Sequence, residues 1–231
     1  MLLKIKRFSR EMIGFQVLMS YLTQKQKLYR LLGYNTIYEN YYDKREAIFV
    51  HIPKTAGTSI CHSLYGGISW PWHFNSQQCQ KISPQKFEKY YKFTFVRDPV
   101  ERLISTFNYA QTHISKNKGG SSIKFLLDYD DFNDFVQSWL TKENIAKHYF
   151  FATQKSYVYS DEGELMVDQV YYFSEIEDGF LDLSEKLGVK LVLEKRNISQ
   201  SKKVSPIIIS NESMEIIKDV YSDDYNYFNF K

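Results

Sequence analysis

AIFVHIPKTAGTSI, residues 47–60, is the stretch whose reading decides the fold. Ala47 to Ile52 has the length and the β-branched and aromatic content of a buried strand. It stops at a loop of Pro53, Lys54, Thr55, Ala56 and Gly57, and Thr58 to Leu64 reads as the start of a helix. Strand, tight loop and helix together aim backbone N–H groups and a helix N-terminus at an anion. Lys54 adds a positive charge, Gly57 removes the Cβ that would keep a phosphate at a distance, and the hydroxyls of Thr55, Thr58 and Ser59 can donate to its oxygens. The segment predicts a phosphate cradle.

It is not a Walker A loop. That pattern needs a glycine where His51 stands and a lysine after the second glycine, whereas Lys54 precedes Gly57. HIPKTAGTS, residues 51–59, instead resembles the 5′-phosphosulfate loop of sulfotransferases that use 3′-phosphoadenosine-5′-phosphosulfate (PAPS), in particular the carbohydrate sulfotransferases related to the heparan sulfate 2-O enzymes. The resemblance implies that Lys54, Thr55, Ala56, Gly57, Thr58 and Ser59 bind the donor.

A second stretch, KFTFVRDPVERLISTF at 92–107, resembles the 3′-phosphate motif of the same enzymes: a strand delivers an arginine, and a serine follows one to two helical turns into the next helix. Arg97 and Ser105 occupy those two positions. A protein that selects PAPS needs a guanidinium fork and a hydroxyl at the 3′-phosphate. The competing reading makes FTFVRD a Walker B strand, with Asp98 holding Mg²⁺ for an ATP-dependent kinase or NTPase. Pro99 directly after Asp98 argues instead for a helix N-cap followed by a proline in the first turn. A noncatalytic nucleotide-binding protein is the third possibility.

Composition sets the bounds. The 231 residues are 43% hydrophobic, enough for one good core, and the expected organisation is a helical N-terminal arm over 1–46 and a sulfotransferase domain over 47–231. A net charge of +3 favours anionic ligands but is too small to argue for nucleic acid. Cys61 and Cys79 form neither a ligand cluster nor a disulfide framework, which points to a reducing, cytoplasmic compartment. No His, Cys or Asp spacing suggests a metal, and the resemblance implies none.

The arm carries Phe15, Leu18, Met19 and Leu22 at helical spacing, with Leu28, Leu31 and Leu32 continuing an apolar stripe after the basic residues Lys4, Lys6, Arg7 and Arg10. It reads as an amphipathic segment that docks on the domain or a partner, with peripheral membrane contact as the alternative. Further along, 66–79 reads as turn-rich and 116–122 as a mobile loop. Strands are expected over Tyr91–Val96, Val167–Phe173 and Val189–Leu193. Helices are expected over Ser83–Tyr90, Val100–Ala110, Asp131–Leu140, Glu143–Phe151, Ile176–Leu187 and Asn211–Val220. Alternating strands and helices imply an α/β fold, a P-loop-like and mainly parallel central sheet flanked by helices.

Transfer of a sulfuryl group needs a base for the acceptor hydroxyl and donors for the charge that develops on oxygen. Lys54 suits the second task. For the first, His73 falls where related carbohydrate sulfotransferases carry a catalytic or acceptor-contacting histidine, and Trp70 and Trp72 beside it suit stacking on a sugar. The resemblance therefore implies a glycan or glycolipid acceptor contacted by Trp70, Trp72 and His73. Glu101 is the reserve base. Asn197, Ser201 and Lys202, in KRNISQSKK, match a late segment that helps enclose the nucleotide.

Overall fold

The computed structural model describes residues 2–66, 73–114, 122–192 and 206–230. Along the chain run α1 (Leu2–Leu31), α2 (Ile37–Asn40), β1 (Ala47–Phe49), α3 (Gly57–Tyr65), α4 (Ser76–Ile82), α5 (Pro84–Lys89), β2 (Tyr91–Val96) and α6 (Pro99–Tyr109). There follow α7 (Phe132–Trp139), α8 (Lys142–Ala146), α9 (Lys155–Val158), β3 (Gln169–Tyr172), α10 (Ile176–Lys186), α11 (Asn211–Val220) and α12 (Ser222–Phe228). The chain divides into two compact units: 19–97 with 154–198, and 1–18 with 98–153 and 199–231.

The first unit holds the sheet. Among the described residues its three strands are all parallel in the order β1-β2-β3, with Phe49 opposite Phe93 and Phe95 opposite Tyr171. Successive side chains of a strand point to opposite faces, so burial of every residue from Ala47 to Phe49 and from Phe93 to Val96 means that both faces are covered. Aromatic rings stack along it, Phe49 on Phe93 at 5.3 Å and Phe95 on Tyr171 at 5.0 Å. This is the α/β, mainly parallel architecture that the alternating pattern implies.

The second unit is helical. Phe107, Phe132, Phe135, Trp139, Phe151 and Tyr221 form the centre of its core. Arg102 is buried there, where Nη2 donates to the carbonyls of Ala152 (2.7 Å) and Phe151 (3.3 Å) and the guanidinium lies 5.6 Å from the Tyr221 ring centre. Buried charge is tolerable only when hydrogen-bonded in this way.

Several expected boundaries move. The strand from Ala47 ends at Phe49 rather than Ile52: Val50 still donates to Phe93 O (2.9 Å), but the carbonyl of Ile52 is taken by the Thr55 hydroxyl (2.9 Å), which starts the loop. Within 66–79, Asn75 and Gln78 form a reciprocal capping box that opens α4. The helix expected over Glu143–Phe151 stops at Ala146, because the His148 ring accepts from the Phe150 amide and diverts the backbone. Residues 189–192 form no strand. Ser184 receives the amides of Val189 and Leu191, and Val192 O accepts from the Ser63 hydroxyl, so these groups are engaged with side chains and a helix end rather than a ladder. Gly188 follows the end of the preceding helix with φ +61°. Leu193, and 116–122 apart from Ser122, lie outside the described residues.

Candidate functional site

The cradle begins where β1 runs out. Lys54 and Ala56 both adopt left-handed backbone conformations, with φ +71° and +65°, so the chain from Pro53 to Gly57 folds into the kind of tight turn that gathers amide N–H groups on one side. Ala56 is the N-cap of α3 and has no side-chain acceptor to offer its first amides. Helices α6, α7, α8 and α11 start on the side chains of Asp98, Asp131, Thr141 and Ser210, whereas α3 shares the lack of a side-chain cap with α5, α9, α10 and α12. What sets α3 apart is that its first amides follow directly on the turn that carries Lys54, an arrangement that suits an anion.

Gly57 has a different reason from the one the sequence suggests. A Cβ placed there would lie 1.7 Å from Nε2 of His51, so the glycine makes room for that imidazole and not only for a phosphate. The His51 ring is buried, stacked on Phe49 at 5.4 Å and tilted against His73 at 4.3 Å. Burial, reinforced by the neighbouring His73, holds its pKa well below the ordinary histidine value.

Lys54 is the cation of the loop. Desolvation by burial, with Arg97 adding repulsion, lowers its pKa to about 8. Arg97 follows the last residue of β2, where its guanidinium approaches the Lys54 carbonyl (3.5 Å) and packs 4.2 Å from the centre of the Phe173 ring. Its backbone is clamped by one buried amide: Arg97 N donates to Gln154 Oε1 (2.8 Å) and Gln154 Nε2 donates to Arg97 O (2.7 Å). Gln154 and Phe173 therefore position Arg97, and neither is signalled in the sequence. Thr94 Oγ1 donates to Val50 O (2.8 Å), tying the end of β1 to β2 just before the two cations. The ends of two adjacent parallel strands thus bring Lys54 and Arg97 together, which is where an α/β sheet binds ligands.

His73, half-buried, donates from Nδ1 to the His51 carbonyl (3.0 Å), because a carbonyl oxygen can only accept; the basic lone pair is therefore on Nε2. Burial pushes its pKa down to about 4, against the raising effect of that hydrogen bond. His73 thus adjoins the cradle through His51, a link between two segments that sequence spacing does not disclose.

The remaining candidates are distributed as follows. Thr55 is fully buried and its hydroxyl is spent on Ile52 O, which makes it a brace of the loop. Thr58 is half-buried in the first turn of α3 and Ser59 is buried. Asp98 Oδ1 accepts from Glu101 N (3.0 Å), the helix-cap role rather than that of a Mg²⁺ ligand. Ser105, half-buried on α6, and exposed Glu101 belong to the helical unit. Trp70, Trp72, Asn197, Ser201 and Lys202 lie outside the described residues.

The pair of cations and the open helix N-terminus fit a ligand with separated anionic groups, as PAPS is. No curated protein and no solved structure matches the chain. The family model described as "Sulfotransferase family" matches residues 40–231, more than four fifths of the chain. The match covers the cradle, Arg97 and His73 alike, and the chain belongs to the sulfotransferase family, as a transferase that uses PAPS.

Proposed function

We propose that the protein transfers the sulfuryl group of PAPS to a hydroxyl of a glycan or glycolipid, in the cytoplasm, with residues 47–231 as the transferase domain and 1–46 as an arm. The observation that carries this reading is the convergence of Lys54 and Arg97 at the ends of β1 and β2, beside an α3 N-terminus that lacks a side-chain cap. The family match over residues 40–231 includes the whole of the proposed transferase domain.

When bound, PAPS supplies a sulfuryl group attached to a phosphate that can leave. The amides of Gly57 and Thr58, with the Thr58 and Ser59 hydroxyls, hold the 5′ end at the positive end of the α3 dipole. Lys54 places its charge where negative charge grows as the phosphate departs, and its partial desolvation makes that charge more effective than it would be in water. Arg97 takes the 3′-phosphate, with its planar fork held against Phe173 and its backbone fixed by Gln154. Ser105 is assigned to the same phosphate, and Asn197, Ser201 and Lys202 to the nucleotide, on the resemblance of their segments.

His73 is the proposed base. It is neutral throughout the physiological range, Nε2 accepts the proton of the acceptor hydroxyl, and the His51 carbonyl on Nδ1–H stabilises the imidazolium that results. Trp70 and Trp72 are assigned to the acceptor sugar from their place beside His73 in the sequence. The chemistry given to these residues requires no metal. Incubation with ³⁵S-labelled PAPS and a panel of glycans and glycolipids tests the proposal: label should move to at least one sugar hydroxyl. Transfer only to phenols, steroids or proteins would overturn the acceptor class.

A further inference from the structure

Helix α1 has one docked edge and, opposite it, an apolar edge that the fold leaves exposed. On the first, Met19 and Thr23 are buried, Gln26 Oε1 accepts from Ile37 N (2.7 Å) and Arg30 reaches Gln85 (3.3 Å), so this side is docked. On the second, Val17, Tyr21, Leu28 and Leu31, with Leu32 just beyond the helix end, are 52–82% exposed. At 100° per residue these five fall within an arc of roughly 100° opposite the docked edge. Lys25 borders the arc on one side and Lys27 on the other. The apolar stripe expected from the sequence is thus split: Met19 faces the protein, while Leu28, Leu31 and Leu32 face water.

Charge selects the occupant of the exposed edge. The 30 residues of α1 contain seven Lys and Arg but only one acidic residue, Glu11, whereas the rest of the chain has 23 Lys and Arg against 26 Asp and Glu. A protein of net charge +3 therefore carries a helix of +6 on a remainder of −3. A second copy of the same helix would meet it with like charge, and a nucleic acid would leave the apolar arc uncovered. An anionic bilayer surface satisfies both features, with the aliphatic arc in the acyl boundary and the flanking lysines extended toward the headgroups. Among the described residues, no helix is long and apolar enough to cross a membrane, so the geometry is one of lying on the surface. We propose that residues 17–32 form an interfacial anchor for anionic lipid. It would bring the transferase to acceptors held in the membrane, the glycolipid branch of the proposed acceptor class.

Co-sedimentation with vesicles tests this without PAPS, so its outcome is separate from that of the transferase reading. The full chain should bind vesicles of phosphatidylcholine with 30% phosphatidylglycerol at least tenfold more tightly than pure phosphatidylcholine, and lose most of that preference in 0.5 M NaCl. Leu28→Ser with Leu31→Ser should reduce binding at least fivefold, and Lys25→Gln with Lys27→Gln should reduce the anionic preference. Both variants should keep the wild-type thermal shift with adenosine 3′,5′-bisphosphate, which reports an intact fold. Equal binding to both vesicle types, unchanged binding by Leu28→Ser/Leu31→Ser, or a lipid-free dimer in sedimentation velocity that this variant abolishes would each overturn the proposal.

Discussion

Gly57→Ala isolates what the cradle demands of its backbone. The new Cβ would lie 1.7 Å from Nε2 and 2.0 Å from Cδ2 of His51. Restoring a contact of about 3.5 Å requires the ring to move by roughly 2 Å. It has little room to do so, because Phe49 and His73 lie at 5.4 and 4.3 Å by ring centres and the side chain is buried. Overpacking of this kind costs about 1–3 kcal/mol, and rings on both sides place this case near about 3. For a chain of this size that lowers Tm by roughly 6–12 °C. Thermal and urea unfolding of the wild type, Gly57→Ala, His51→Ala and the double variant form a double-mutant cycle. Removing the imidazole removes the clash, so the double variant should be more stable than the sum of the single effects predicts, by at least about 1 kcal/mol. A Gly57→Ala protein within about 0.5 kcal/mol of wild type, or strictly additive effects, would refute the steric argument.

Three further outcomes follow from the cations and the imidazole. The pH profile of kcat/KM should fall as pH rises through about 8, where Lys54 loses its proton, and Lys54→Arg should carry that limb to higher pH because a guanidinium does not titrate there. His73 must be neutral to accept a proton, so activity should fall as pH drops through about 4; His73→Ala should abolish that limb, cut turnover by roughly a hundredfold and leave bisphosphate binding intact, and near-normal turnover would transfer the role to Glu101. Arg97→Ala should weaken adenosine 3′,5′-bisphosphate binding in calorimetry while sparing 5′-AMP, and equal losses for both would remove Arg97 from the 3′-phosphate.

How far the sequence could be read depended on whether the signal was local. Tyr91–Val96 and Asn211–Val220 are seen as expected to the residue, and α6 starts at the Asp98-Pro99 signal, because an apolar run and a cap are properties of neighbouring residues. The start of α4 was equally local, in Asn75 and Gln78, but lies in an aromatic, glycine-bearing stretch that reads as turns. Val189–Leu193 has the composition of a strand, yet Ser184 claims two of its amides through the geometry of the α10 terminus. In the site, Lys54 and Arg97 were legible as cations at strand ends. Gln154, 57 residues from Arg97, was not, since a buried amide clamp is a tertiary contact with no periodicity behind it. In the sequence His51 is only the residue that stands where a Walker A loop needs glycine, and its effect on Gly57 emerges only when the ring is seen folded over the loop.

Residues 51–57 break several local rules at once. Two of the four non-glycine residues with positive φ among the described residues, Lys54 and Ala56, are here, and each such conformation costs of order 1 kcal/mol or more. A lysine is desolvated beside an arginine, a histidine is kept neutral by burial, and a helix begins on a residue that cannot cap it. None of these features improves the apoprotein. An anion seated at the α3 N-terminus would offset the Lys54–Arg97 repulsion and accept from the uncapped amides, so a single binding event relieves two of these conflicts together. The same logic ties binding to protonation. On the proposed binding mode an anion beside Lys54 would raise its pKa from about 8, so near that pH donor binding should take up a proton and its affinity should weaken as pH rises further. On the same binding mode the electrostatic conflict would serve affinity, because the donor's negative charge would relieve the repulsion between Lys54 and Arg97.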